Sequence, residues 1–217
     1  MKKIFIQTVC LVLCLILLSS NALALDSGLV KETDVITTQY KNKDSEDFLW
    51  EQVNKYSPSQ ELTAAILGFF WRESYYKSDA IANWSTLDKQ NQKDNSDEFT
   101  KKVDQGLLDG STKEYFIEQV HIHIGGYGLG QWHSKVYLSA LYDYAQEWGT
   151  SIADAEMQCA FTVWSIYHQH NKHIEKLDTS SVFLASKWMG YIYDGSHTAE
   201  GVIYQKAKEL YKTKNAE

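Results

Sequence analysis

One carboxylate in this chain stands where a proton donor would be useful. Leu62, Ile66, Phe69 and Glu73 follow one another at spacings of four, three and four, so one apolar helical stripe runs down to the acid. Ala64, Ala65, Leu67, Phe70 and Trp71 fill the remaining faces, and a helix apolar all round is normally buried. A carboxyl at the end of such a helix loses solvation of its charged form, which raises its pKa. A general acid working near neutral pH requires that shift. A plain structural role fits the same residues, with Glu73 paired to Arg72 or to a lysine at the helix terminus. The stretch alone supports both readings equally.

The other chemistry-bearing residues form looser patterns. His121, His123 and His133 flank the run Gly125-Gly126-Tyr127-Gly128-Leu129-Gly130, and His168-x-His170-x-x-His173 has metal-like spacing. Zinc needs three or four converging ligands with outer support. No H-E-x-x-H pattern occurs, and the second histidine group falls at a polar helix end, so surface histidines are the expectation and no metal or other cofactor is implied. Four glycines in six residues call for special backbone angles, or let something approach the main chain closely. Cys159 lies in an apolar helical pattern and reads as a small core residue, not a nucleophile.

These residues need elements to position them. For the central helix, Ser57 reads as the N-cap, Pro58 as the first helical residue and Gln60 as the close of a capping box. Before it, Asp44–Lys55 makes a short helix with Phe48, Leu49 and Val53 inward. After it, Tyr75–Trp84 is an irregular bend and Ser85–Asn95 a polar surface loop. Ser96 caps a helix through about Leu108, with Phe99, Val103 and Leu107 on one side. Tyr115–Ile124 fits either a short strand or a helix. Helices follow over Ser134–Trp148, from the Ser151–Asp154 box to about Gln169, over Ser180–Met189, and over Thr198–Tyr211. A Tyr193-Asp194-Gly195-Ser196 turn separates the last two. The expectation is a mainly α domain around one buried central helix ending in Glu73, with at most a small β-hairpin or loop region.

Residues 1–24 have the form of a removable leader: Lys2-Lys3, an apolar run from Ile4 to Leu18, then Ala22-Leu23-Ala24. An uncleaved membrane anchor is the alternative reading. Cys10 and Cys14 lie inside the apolar run, so they form no lipobox, and the remaining Cys159 has no partner for an internal disulfide. Residues 25–43 are polar without a helical period and read as a flexible lead-in, leaving 44–217 as the domain. From residue 25 onward the chain holds 19 basic and 28 acidic side chains, a net charge of −9. That excludes bulk-charge binding to nucleic acid, which rests on neutralising phosphates. Seven Trp and fourteen Tyr suit a sugar-lined site, although such residues also fill cores.

The segment ILGFFWRESYYKSDAI, followed after about fifty residues by GGYGLGQW, resembles the phage tail lysozyme family of the lysozyme-like superfamily. The likeness continues through SALYDYAQEWGTSIADAEMQCAFTVWSIY, with its G-x-x-x-x-D-x-x-x-Q turn, and through SDEFTKKVDQGLLDG. It spans about Ser57 to Tyr211. The resemblance implies an α+β lysozyme-like fold and assigns roles to matching positions. Glu73 falls on the catalytic acid and Ser74 on the serine supporting it. Gln131 falls on the cleft glutamine, and Tyr127 and Trp132 on aromatic neighbours that contact or frame sugars. Two departures bear on substrate detail: Ser78 stands where an Asn-Pro bend is usual, and Tyr191–Ser196 lacks the family's Glu-Lys-Pro-like segment.

The implied substrate is peptidoglycan glycan, cut between N-acetylmuramic acid and N-acetylglucosamine. Cleaving that β-1,4 bond requires protonating a poor leaving oxygen while an oxocarbenium-like centre develops. A hydrolase also needs a second carboxylate as nucleophile or base; Asp79, Asp88, Asp94 and Asp97 are in reach by sequence, and Asp79 leads. Without one, the sugar's own 6-hydroxyl attacks and a lytic transglycosylase results. A non-catalytic glycan-binding or assembly module is the competing class, and a zinc peptidase or amidase of the same envelope a more distant one. The leader implies export to periplasm, cell wall or exterior. Wall remodelling, attack on competitors, and opening the wall for an envelope-spanning secretion or conjugation machinery are equally compatible roles.

Overall fold

The stripe that leads to Glu73 forms the centre of the molecule. The computed structural model describes residues 45–82, 89–170, 177–194 and 199–216, all within the unit Thr38–Glu217. The leader and the lead-in lie outside the described residues. Helix α1 (Glu46–Tyr56) is followed by α2 (Gln60–Ser74), in which every residue from Leu62 to Phe70 is buried. Around α2 pack α1, α7 (Val182–Asp194) and α8 (Ala199–Lys214). A helix covered from three sides can be apolar all round, as the sequence of α2 is.

The start of α2 differs from expectation by two residues. Ser59 is the cap, its Oγ accepting from Leu62 N–H at 3.2 Å. Ser57 instead closes α1, its N–H donating to Val53 O at 2.8 Å. Pro58 explains the shift: it holds Ser57 extended, so the link continues until the next hydroxyl-bearing residue. In α1 itself Trp50 is buried with Leu49 and Val53, while Phe48 is only partly covered.

The remaining described elements are helical too. It comprises α3 (Lys89–Asp104), α4 (Lys113–Glu118) running into a π-helical turn (Gln119–Ile124), α5 (Lys135–Trp148) and α6 (Ala155–His168). The expected loop at Ser85–Asn95 is thus helix from Lys89 onward, with 83–88 outside the described residues. Its first six residues are all polar, so no periodicity betrays the helix. Ser96 lies inside α3 and not at its start. Tyr115–Ile124 resolves as helix and π turn. Asp154, not Ser151, caps α6, accepting from Met157 N–H at 2.9 Å. Tyr193 and Asp194 belong to α7; the remainder of the expected turn lies outside the described residues.

Among the described residues no strand forms, only isolated antiparallel bridges, Ile81 with Tyr127 and Tyr127 with Trp132. An aromatic core joins α3, α4, α5 and the glycine run: Tyr127 lies 5.7 Å from Phe99 and 5.4 Å from Phe116, which lies 6.0 Å from Tyr142. Helix α8 is pinned to α1 and α2. Lys214 Nζ is 2.6 Å from Asp47 Oδ1, Lys206 Nζ is 2.8 Å from Glu46 Oε2, and the Tyr211 hydroxyl donates to Glu61 Oε1 at 2.8 Å.

Helix α8 approaches α2 most closely at Gly68. A Cβ there would stand 2.5 Å from the Ile203 carbonyl oxygen and 3.2 Å from Ala207 Cβ. Alanine is the better helix former, yet the packing forbids it. Gly68→Ala is expected to lower stability by about 1–3 kcal/mol, read as a reduced urea midpoint at unchanged m-value.

Candidate active site

Glu73 lies in the last turn of α2 with its side chain 23% exposed, and its Oε1 is 2.5 Å from Arg72 Nη1. The carboxyl is therefore half-buried and paired with Arg72, the contact that the second of the two sequence readings named. The next residue, Ser74, is buried; its hydroxyl donates to Phe70 O at 3.0 Å and so braces the helix end. That is a supporting role, since Ser74 presents almost no surface to a substrate.

Beyond Ser74 the chain turns sharply. Tyr75 and Tyr76 both have positive φ, 52° and 68°. Non-glycine residues pay roughly 1–2 kcal/mol each for this conformation. Tyr76 turns inward and its hydroxyl donates to Glu46 Oε2 at 3.2 Å, while Tyr75 points out with 71% exposure. The third non-glycine residue with positive φ among those described is Gln131, at 47°. Tyr75 and Tyr76 open the bend after Glu73, and Gln131 lies in the glycine run that the bend goes on to meet.

That junction is built from main-chain groups. Ala82 N–H donates to Gly126 O at 2.9 Å, and Gly128 N–H to Ala80 O at 2.8 Å. The Gln131 side-chain amide donates to Ala80 O at 3.0 Å and to Gly128 O at 2.9 Å. Gln131 thus ties the bend to the loop, and part of it stays exposed. Tyr127 and Trp132 do not stay exposed. Tyr127 is fully buried with its hydroxyl 2.7 Å from Thr100 Oγ1, and Trp132 is 2% exposed with its ring edge-on to Phe161 at 5.3 Å. Of the two expectations for these rings, contact or framing, their burial fits framing: each belongs to the core beneath the loop. The glycine run lets the chain fold over them.

The residue that sequence reasoning passed over is Gln158 of α6. It is fully buried; its Oε1 accepts from Leu129 N–H at 2.8 Å, and its Nε2 donates to Ser78 O and Ile152 O at 2.8 Å each. One amide so joins the glycine run, the bend after Glu73 and the entry to α6. Gly128 is its counterpart: φ is +76° and a Cβ would meet Gln158 Oε1 at 2.7 Å. The sequence signal was a lone glutamine on the apolar face of α6, in the last place of the G-x-x-x-x-D-x-x-x-Q turn. Nearby, Asp104 accepts from Ser151 Oγ at 2.5 Å and from Ile152 N–H at 2.9 Å, fixing the same entry.

Among the second-carboxylate candidates, Asp79 is half-buried in the bend, its carbonyl oxygen bound by the Ser96 hydroxyl. Burial and then the Asp97 carboxylate push Asp79 above the usual carboxylate range. Asp97 itself is exposed; Asp88 lies outside the described residues, and so does the side chain of Asp94. The histidines are spread out: His121 Nδ1 donates to His133 O and His168 Nδ1 to Trp164 O, each at 2.8 Å. Among the described residues no three His, Cys, Asp or Glu side chains are grouped to hold a metal. His173 lies outside them. Cys159 is a buried thiol in no disulfide, in keeping with a small core residue.

A buried central helix ending in Glu-Ser, bound through its following bend to a Gly-Tyr-Gly-Leu-Gly-Gln-Trp loop, defines a lysozyme-like mainly α domain. The family model for phage tail lysozyme matches residues 44–213, and the chain belongs to that family. Membership points to a lysozyme-like glycosidase with peptidoglycan as its substrate. Searches among curated proteins and solved structures give no significant match.

Two outcomes follow. Gln158→Leu leaves Leu129 N–H, Ser78 O and Ile152 O without their partner in the interior, at about 1–3 kcal/mol for each such group. A loss of about 3 kcal/mol or more is expected in chemical denaturation. For Asp79 the sign is set by its raised pKa: the fold favours the neutral form, so the contribution is present at acid pH and lost as the pH rises through the raised titration. Melting temperatures measured across the acid range should show Asp79→Asn lacking that decline.

Proposed function

We propose that this protein cuts the β-1,4 bond between N-acetylmuramic acid and N-acetylglucosamine, with Glu73 as the general acid. The supporting observation is the position of Glu73, at the end of the buried helix and immediately before the strained bend that Gln131 and Gln158 lock to the glycine run. Protonated Glu73 delivers its proton to the leaving oxygen. Arg72, already in contact, stabilises the carboxylate left behind. The same contact favours ionised Glu73 before the reaction, so the acid acts only in the fraction of protein that holds its proton. Asp79 is the group we assign to the opposite face of the sugar in a hydrolytic reaction. Its raised pKa makes it the stronger base once ionised, which suits activation of water.

A second reading, lytic transglycosylation, draws on the same residue. The charges that act on Asp79 are those of Asp97 and Lys77, so its carboxyl is engaged with neighbours on the bend and on α3. An Asp79 held there leaves the 6-hydroxyl of the sugar as the nucleophile. The leader pattern of residues 1–24 supports export to the periplasm, cell wall or exterior, where the substrate lies. Opening the wall for an envelope-spanning secretion or conjugation machinery is one setting that fits such an enzyme.

Mass spectrometry of purified peptidoglycan digested with the protein separates the readings. Reducing-end muropeptides are expected, with Glu73→Gln slower by about 100-fold or more. Products lighter by one water would make it a transglycosylase. An undigested wall, under conditions where a control lysozyme works, would leave a glycan-binding module instead.

A further inference from the structure

The face of α2 that carries Glu73 leads to a group of side chains that the proposed chemistry does not yet use. Phe69 stands one turn before Glu73 on that face, and its ring stacks on Tyr193 of α7 at 4.7 Å. Helical side chains lean toward the N-terminus, so Glu73 itself leans toward Phe69. Tyr193 lies 5.7 Å from Tyr137 of α5 and 5.7 Å from His170, just beyond α6. The hydroxyl of Tyr193 is taken up by Ser165 Oγ at 2.5 Å. Tyr137 and His170 are joined by a hydrogen bond between the phenol and Nε2, with ring centres 5.9 Å apart.

Tyr137 also reaches this place from the loop side. It sits in the first turn of α5, five residues past Trp132, its N–H capped by Ser134 Oγ at 3.3 Å. Phe69 of the acid-bearing helix and Tyr137 of the helix after the glycine run therefore both border Tyr193. Burial keeps the Tyr137 phenol up at about 12, so it stays protonated near neutral pH. Unlike Tyr127, Tyr137 and His170 both retain exposed surface. A partly exposed phenol and imidazole beside a stacked aromatic ring match the needs of a pyranose. The C–H face of the sugar packs on the ring, and its hydroxyl or acetamido groups bond to the polar edge.

We propose that Tyr137 and His170 form a saccharide-contact pair beside Glu73, holding one sugar of the glycan by ring packing and hydrogen bonding. The proposal rests on the reading of Glu73 as the acid of a peptidoglycan glycosidase. Tyr137 supplies packing area and a hydroxyl, and His170 fixes that hydroxyl and adds a second polar edge.

The test uses Glu73→Gln protein, which binds without turnover, and soluble glycan strands freed of their peptides, titrated by calorimetry at one pH. Adding Tyr137→Phe or His170→Ala is expected to weaken binding by about 3- to 10-fold each. His170→Gln, which keeps a hydrogen-bonding group near Nε2, should recover most of the loss. Melting temperatures accompany every variant, and Tyr137→Phe, which removes a single oxygen, carries the test if His170→Ala does not fold. Unchanged affinity in Tyr137→Phe and in every folded His170 variant overturns the pair while leaving the glycosidase reading intact. So does a loss that follows the melting temperature alone. Failure of the Glu73→Gln parent to bind the strands overturns both.

Discussion

The side-chain amide of Gln158 is the constraint on which the candidate site depends. It is fully buried, and its three hydrogen bonds go to three separate stretches of chain: the glycine run, the bend after Glu73 and the approach to α6. Each partner is a main-chain group that would otherwise lie in the interior unbonded, and such groups are costly to leave so. The geometry works only because Gly128 brings no side chain and adopts a left-handed backbone. The helix that carries Glu73 and the loop that carries Gln131 are thereby held at one distance by a group that touches neither the acid nor its expected substrate.

With that junction fixed, the strain around it makes physical sense. Tyr75, Tyr76 and Gln131 hold backbone angles that side-chain-bearing residues seldom adopt. Two of them are kept there by side-chain hydrogen bonds: Tyr76 by Glu46, and Gln131 by the carbonyls of Ala80 and Gly128. Strain of this kind survives only where neighbouring contacts over-determine the conformation. Here it turns the chain away from the end of α2 within two residues, so that the acid is not covered by its own continuing helix.

How much of this was legible in the sequence depended on whether a signal was local and apolar. The stripe Leu62, Ile66, Phe69, Glu73 named the central helix, because burial of an all-apolar helix leaves a plain pattern. Its cap was misplaced because Ser57 and Ser59 are chemically alike, and only the conformation imposed by Pro58 distinguishes them. The start of α3 was invisible, since Lys89–Asp94 contains nothing apolar to repeat. Tyr127 and Trp132 were located correctly as part of the loop. Which way a ring faces, however, is decided by Phe99, Phe116 and Phe161, far away in the chain. The Arg72 contact of Glu73 was one of two readings that the helix end left open, and its partial exposure was beyond a composition argument. A single glutamine with two long-range partners and one nearby leaves no periodic trace at all.

The pinning of α8 to α1 and α2 has a consequence for how the molecule comes into being. The contact between Lys214 and Asp47 closes 167 residues of chain, and Gly68 of the central helix is covered by Ile203 and Ala207. Contacts across so long a loop form only after its entropy has been spent. A chain emerging N-terminus first, from a ribosome or through a membrane pore, therefore exposes one flank of its acid-bearing helix until the final helix is free. Completion of the C-terminal segment, not arrival of Glu73, sets the moment at which the acid-bearing helix is fully covered.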